Sequence, residues 1–185
     1  SEQLEWGAAS YLDNPTEPVN EEGVEAIHEA SMRVLEDVGI LFLNDDALDV
    51  LEAAGCTVDR ETKRVRMDRN FVMEMAAKAP ATFTITPRNP DREITVGGRQ
   101  FNFGQVASAP NVMDLDRGRR IGNRADYQDL LRLSQAYNCI RFNSGYPVEP
   151  IDIHASIRHL DAHYDMLTLT DKVIHAYSCL LYTSP

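Results

Sequence analysis

The sequence predicts an α/β protein, a helical and β-hairpin segment followed by strand–helix–strand–helix–strand. Two observations predict it. Apolar strand starts fall near residues 101, 139 and 172, with amphipathic helices between them, the spacing of a βαβ series and so of a parallel sheet or barrel. Upstream, apolar residues first recur at helical spacing and then alternate about turn residues. The 185 residues are 43% hydrophobic and 25% charged, ordinary for a soluble globular chain long enough to bury a core without disulfides.

Residues 1–19 carry Trp6, Tyr11, Pro15 and Pro18 without a period and read as an irregular N-terminal arm. Residues 20–100 read as an N-terminal helical segment with β-hairpins. Asn20 is placed as an N-cap, with Glu21 and Glu22 in the first turn, where the helix dipole favours anions. Val24, Ile27, Ser31, Val34, Leu35 and Val38 give the helix an apolar face, and Gly39 ends it. After an apolar link at 40–43, Asn44 caps a second helix that presents Leu48, Val50, Leu51 and Ala54 and stops at Gly55. A hairpin comes next over 56–67 with its turn at 59–63. Asp68 then caps a third helix bearing Phe71, Val72, Met75 and Ala76, stopped by Pro80. Phe83 and Ile85, then Ile94 and Val96, alternate as strands, and Gly97-Gly98 before Gln100-Phe101 signals a hairpin turn.

Residues 101–178 change pattern. A short strand over 101–104 leads into a small-residue loop and a polar excursion over 114–122. Asn123 with Asp126 forms the pattern of a capping box for a helix over about 124–137. A second strand over 139–142, a helix over 153–169 and a third strand over 172–177 complete the series. A (β/α)8 barrel takes roughly 250 residues. Three strands are therefore either a small open sheet or an incomplete barrel, expected to be inactive alone. Ser1 rather than Met leaves the N-terminus open as a cut end. Residues 179–185 resemble the translation of a synthetic adapter, and a natural strand end is the alternative.

Charge and cysteine count narrow the partners. A net charge of −11 leaves nothing to neutralise phosphates, which argues against nucleic acid or anionic membrane. Three separated cysteines argue against a disulfide framework and a zinc cluster, and suit a reducing cytoplasm. No apolar run reaches the length of a membrane span.

Several motifs admit two readings. His159 and His163 lie four apart on one helix face, with His154 and Asp161 as added ligands, yet Leu160 stands where a zinc hydrolase carries its base. A polar surface helix is the plainer reading. Gly97 to Gly104 lacks phosphate-loop spacing and reads as a turn. Asp114 and Asp116 could do acid–base work, or simply belong to a solvated excursion. In a (β/α)8 protein the chemistry sits at strand C-termini and in the loops after them. Here those positions hold Gln105, Ser108 and Asn111, then Asn143, Ser144 and Tyr146, then His175 and Tyr177. The candidate substrate-binding set is Gln105, Asn143, Tyr146, His175 and Tyr177, with ordinary loop hydrogen bonding as the alternative for each.

Three stretches resemble the trimethylamine methyltransferase family: EAIHEASMRVLEDVGILFLNDDALDVLEAAG (25–55), VDRETKRVRMDRNFVMEMAAKAP (58–80) and FNFGQVASAPNVMDLDRGRRIGNRADYQDLLRLSQAYNCI (101–140). The resemblance covers about 20–178 and is closest to the branch without pyrrolysine that includes glycine betaine:corrinoid methyltransferases. It implies an N-terminal helical segment followed by the first three βα units of an incomplete (β/α)8 TIM barrel. It implies a cytoplasmic enzyme that moves a methyl group from a quaternary or tertiary amine to Co(I) of a corrinoid (cobalamin) on a separate protein, with no cofactor or metal bound directly. Homo-oligomerisation is left open. No catalytic residue carries over, and pyrrolysine, where present, falls in the later half. Under this reading Tyr146 and Tyr177 wall a cationic substrate, and Gln105, Asn143 and His175 orient a substrate carboxylate. Two rivals stand beside it: a metal-dependent barrel hydrolase using His159 and His163, and a non-catalytic module in which 20–100 mediates oligomer or partner contact.

Overall fold

The computed structural model describes residues 3–14 and 16–175. Its contacts divide it into two units: residues 13–80, and residues from 81 onward together with the N-terminal residues up to Leu12. The change of sequence pattern puts this boundary at residue 100. The contacts place it at Pro80, because the strands over 82–97 pack with the segments C-terminal to them. The arm is not wholly irregular, since it carries a short strand, β1 (Ala9–Ser10), that pairs with a later one.

In the unit over 13–80, side chains that accept backbone N–H groups start each helix. α1 (Glu21–Arg33) begins at Asn20, whose Oδ1 accepts from the Gly23 amide at 2.9 Å. It runs into a π-helical turn over Val34–Val38 and ends at Gly39 with φ +75°. β2 (Ile40–Leu41) leads to α2 (Asp45–Ala53), capped by Asn44. β3 (Thr57–Asp59) and β4 (Arg64–Arg66) form the expected hairpin, and β2 joins them in the antiparallel order β2-β4-β3. The link at 40–43 is thus partly strand. Asp68 caps α3 (Arg69–Ala77). Leu48, Cys56 and Val65 form the core, with Phe42, Leu51, Met67 and Phe71 against it.

The roll of α1 differs from expectation. Val24, Ile27, Val34 and Val38 are exposed, and Met32 is the side chain buried. Arg69 fixes this orientation. Its Nη1 holds Glu29 at 2.6 Å and its Nη2 holds Glu36 at 2.8 Å, so the helix turns these carboxylates toward the start of α3. The two carboxylates hold the Arg69 guanidinium well above its ordinary pKa, and Arg69 holds the Glu36 carboxyl below its own.

In the second unit β5 (Thr82–Ile85) pairs antiparallel with β6 (Ile94–Gly97), from Thr82–Gly97 to Ile85–Ile94. β7 (Gln100–Phe101) pairs with β1, not with β6. The Gly97-Gly98 signal therefore marks a turn, with φ +101° and +63°, but not a two-strand hairpin. A Cβ on Gly97 would lie 2.3 Å from the Ala81 carbonyl oxygen, so the close approach of β5 sets this position.

The polar excursion is a hairpin, β8 (Asn111–Asp114) with β9 (Gly118–Ile121). Asp114 closes its tip by accepting from the Asp116 and Arg117 amides. α4 (Arg124–Ala136) opens with the Asn123–Asp126 capping box. β10 (Phe142–Asn143), α5 (Ala155–Leu169) and β11 (Val173–Ile174) come after it. β10 and β11 are parallel, and Gly104 bridges Phe142, also in parallel. The first strand of the series is therefore split: Phe101 belongs to an antiparallel pair, and Gly104 alone touches β10. Tyr127, Leu131, Tyr146, Val148, Ala162 and Met166 form the core between α4, α5 and the loop after β10. No helix among the described residues is long and apolar enough to cross a membrane.

Candidate functional site

In-register neighbours on a sheet share a face, and successive residues alternate. Gly104, Phe142 and Val173 are in register on one face, and Asn143 and Ile174 are in register on the other. Ile174 packs against the α4–α5 core, which makes the second face the helical one. Beside these strands opens a cleft of about 550 Å³, lined from the first face by Phe142 and Val173 and also by Ile174, a volume suited to a small organic molecule. Ile85 and Ile94 of the β5–β6 ribbon form one wall, and Phe142 and Val173 form the other. Gly104 makes room for the Phe142 ring, because a Cβ there would lie 2.6 Å from it. Gln100, Asn102 and His175 are the polar groups. Asn102 donates to the Thr95 carbonyl at 2.7 Å, and its buried Oδ1 has no hydrogen-bond partner.

Of the five predicted residues, His175 lines this cleft, with its amide continuing the ladder to the Asn143 carbonyl at 2.8 Å. Asn143 does not line it. It is fully buried on the helical face, where Nδ2 donates to Thr170 Oγ1 at 3.4 Å. Tyr146 is 1% exposed and packs edge-on against Tyr127 at 5.7 Å between ring centroids. Burial raises its phenol pKa and leaves no ring face for a substrate. Gln105 ties two loops together: its Nε2 donates to the Gly145 carbonyl at 3.1 Å, and its Oε1 accepts from Ser134. The Ser108 amide donates to the Tyr146 carbonyl at 2.6 Å and the Glu149 amide to the Ala109 carbonyl at 2.9 Å, so the loops after Gly104 and β10 are zipped together. Tyr177 and residues 179–185 lie outside the described residues.

Sequence reasoning misses Phe142, Gln100 and Asn102. Alternation could have found Phe142, which stands two residues before Ser144 on one strand edge. Asn102 and Gln100 carry no comparable signal, because β7 pairs with β1, some ninety residues earlier in the chain.

The other motifs settle differently. The Arg117 amide and the Arg120 guanidinium hold the Asp114 carboxyl below its ordinary pKa, so it is a structural anion rather than a proton donor. Arg120 grips the buried Asp126 on its other side. His159 and His163 are neighbours at 6.5 Å between ring centroids, and burial lowers the His163 pKa. Among the described residues no group of three or more His, Cys, Asp or Glu converges as a metal site.

The parallel β10–β11 pair with α5 between its strands, and an apolar cleft of ligand size beside it, are the features this fold presents. The chain belongs to the trimethylamine methyltransferase (MTTB) family, which matches residues 2–181. It is 36% identical over 154 residues to a glycine betaine methyltransferase of Desulfitobacterium hafniense (strain Y51), covering 83% of this chain and 32% of that protein. It is 29% identical over 139 residues to a trimethylamine methyltransferase MttB of Desulfitobacterium hafniense (strain DSM 10664 / DCB-2), covering 75% and 28%. It is 30% identical over 138 residues to a proline betaine:corrinoid methyltransferase of Eubacterium limosum, covering 72% and 27%. The chain thus spans about a third of the length of these relatives.

Proposed function

We propose that this chain is the N-terminal part of a methyltransferase that moves a methyl group from a methylated amine, a betaine in the first instance, to the cobalt of a corrinoid on a partner protein. The observation that carries the reading is the family match along 2–181, with two relatives named for betaines. The parallel relation of Gly104, β10 and β11 supports a (β/α)8 barrel of which these are the first three strands. We place the protein in the cytoplasm, where Co(I) is kept reduced.

The chemistry fits the cleft. The Co(I) electron pair forms the new Co–C bond in line with the departing nitrogen. The C–N bond breaks with its pair left on nitrogen, so glycine betaine leaves as dimethylglycine and cobalt becomes Co(III). Nothing needs a proton from the enzyme. The protein's share is to orient the methyl carbon and strip water from the cation. Apolar walls perform the second task, and the Phe142 ring offers the ammonium a π face, the role that the sequence alone assigns to Tyr146. His175 and Gln100 are the donors within reach of a carboxylate at the cleft's rim.

The test is methyl transfer by the protein at the full length of its relatives. Glycine betaine, proline betaine and trimethylamine are each supplied with a reduced corrinoid protein, and methylcobalamin is followed by absorbance. Methylation from at least one betaine is expected. No methylated cobalt from any of the three overturns the function.

A further inference from the structure

We propose that residues 3–11 are a strap that sets the shape of the cleft, with Trp6 as its positioning residue. The inference about structure stands on contacts alone, and only its consequence for substrate rests on the cleft's being the methylated-amine site.

Three cations meet the single Trp6 ring. The Arg92 guanidinium lies 4.6 Å from its centroid, that of Arg141 4.7 Å, and Lys172 Nζ 5.4 Å. Two of these cations stand directly before cleft-lining residues: Arg141 precedes Phe142, and Lys172 precedes Val173. Arg92 lies two residues before Ile94, on the opposite wall. One ring thus ties both walls at the N-terminal ends of the strands.

Arg141 needs that ring. It is buried, its Nη2 donates to the Glu93 carbonyl at 3.1 Å, and its Nε and Nη1 have no hydrogen-bond partner. The π face of Trp6 is what meets the rest of its charge, and such contacts strengthen when desolvated. Lys172 is anchored from the other side by the Ser134 carbonyl and by those of Tyr137 and Ile140 at 2.7 and 2.8 Å.

The rest of the strap reaches the third side of the cleft. Asn138 fastens its start, with its amide donating to Gln3 Oε1 at 3.0 Å and its Nδ2 to the Leu4 carbonyl at 2.8 Å. Ala9 and Ser10 pair with Phe101 and Gln100, and Gln100 lines the cleft. The Tyr11 amide donates to the Arg99 carbonyl at 3.1 Å, and its ring meets Phe101 edge-on. A ladder of two residue pairs is weak by itself, so the Trp6 contact decides whether the strap stays in place.

The test is hydrogen exchange on the wild-type chain, Trp6→Ala and Trp6→Phe. The reporters are the Arg141 amide, which donates to the Phe103 carbonyl, and the His175 amide, which donates to the Asn143 carbonyl. Trp6→Ala is expected to speed both by about tenfold or more while amides in the middle of α4 keep their protection. Trp6→Phe, which keeps a ring, restores most of the protection. Unchanged exchange at both reporters overturns the proposal, as does equal acceleration throughout α4 and α5. Because Trp6 is the single tryptophan of the chain, acrylamide quenching of the wild type is an independent check. Quenching as fast as free indole overturns the proposal whatever the variants do. In the full-length enzyme Trp6→Ala should raise KM for glycine betaine more than it lowers kcat. Failure of that arm with exchange as expected removes the substrate role of the cleft and leaves the strap standing.

Discussion

Lys172 is 2% exposed and carries its charge among three carbonyls and an indole. Burial, with Arg92 adding repulsion, pushes its pKa down to about 8 from 10.5. Below pH 8 both folded and unfolded chains hold the proton, and the full cost of burying the charge is present. Between 8 and 10.5 the unfolded chain still binds a proton that the folded one has released, so this group adds stability as pH rises. Urea unfolding should show the wild type gaining about 2 kcal/mol relative to Lys172→Met between pH 7.5 and 9.5. Parallel curves for the two proteins would contradict it. Tyr146 makes the complementary case. As a core side chain it should cost about 4 kcal/mol of stability on truncation to Ala and little as Tyr146→Phe, again by urea unfolding. A Tyr146→Ala protein with wild-type stability would return the ring to the substrate site. At this scale the sequence is least informative. Strand-end position alone cannot say which way a side chain points, and Asn143 and His175, both at strand ends, lie on opposite faces.

Helix starts are legible because capping is local chemistry. Asn20, Asn44, Asp68 and Asn123 each accept the amides that their sequence positions imply. The Asn123–Asp126 box begins α4, whose Tyr127 and Leu131 build the core, so Asn123→Ala should lower stability by about 1 kcal/mol. Thermal unfolding of the variant checks it, and an unchanged midpoint would mean that the box adds nothing. Ladders are harder to read, because pairing is not local. Gly97-Gly98 suggests that β6 and β7 pair, whereas each finds another partner. The β8–β9 hairpin hides behind its charges. Of its inner residues, Arg120 pairs with the buried Asp126 and Asp114 pairs with Arg120, so no apolar alternation marks it. α1 shows a third limit, since its apolar period is real but Arg69, forty residues from Glu29, sets which face turns inward.

For the whole molecule, the family and the order of the α-helices are readable from sequence, and the family match along 2–181 agrees with the first. The cleft is not readable, because four separate segments meet there: β5–β6, β7 with the residue after it, β10, and β11. The central claim is that this cleft, between the β5–β6 ribbon and β10–β11, takes the methylated amine. The most direct measurement compares kcat/KM for glycine betaine and trimethylamine in the full-length protein and its Phe142→Leu and His175→Ala variants. The account predicts that Phe142→Leu weakens both substrates together, by about 0.5–1 kcal/mol for a lost cation–π contact. It predicts that His175→Ala lowers kcat/KM for glycine betaine several-fold and leaves trimethylamine within about twofold. Equal values for wild type and both variants, with either substrate, would contradict it.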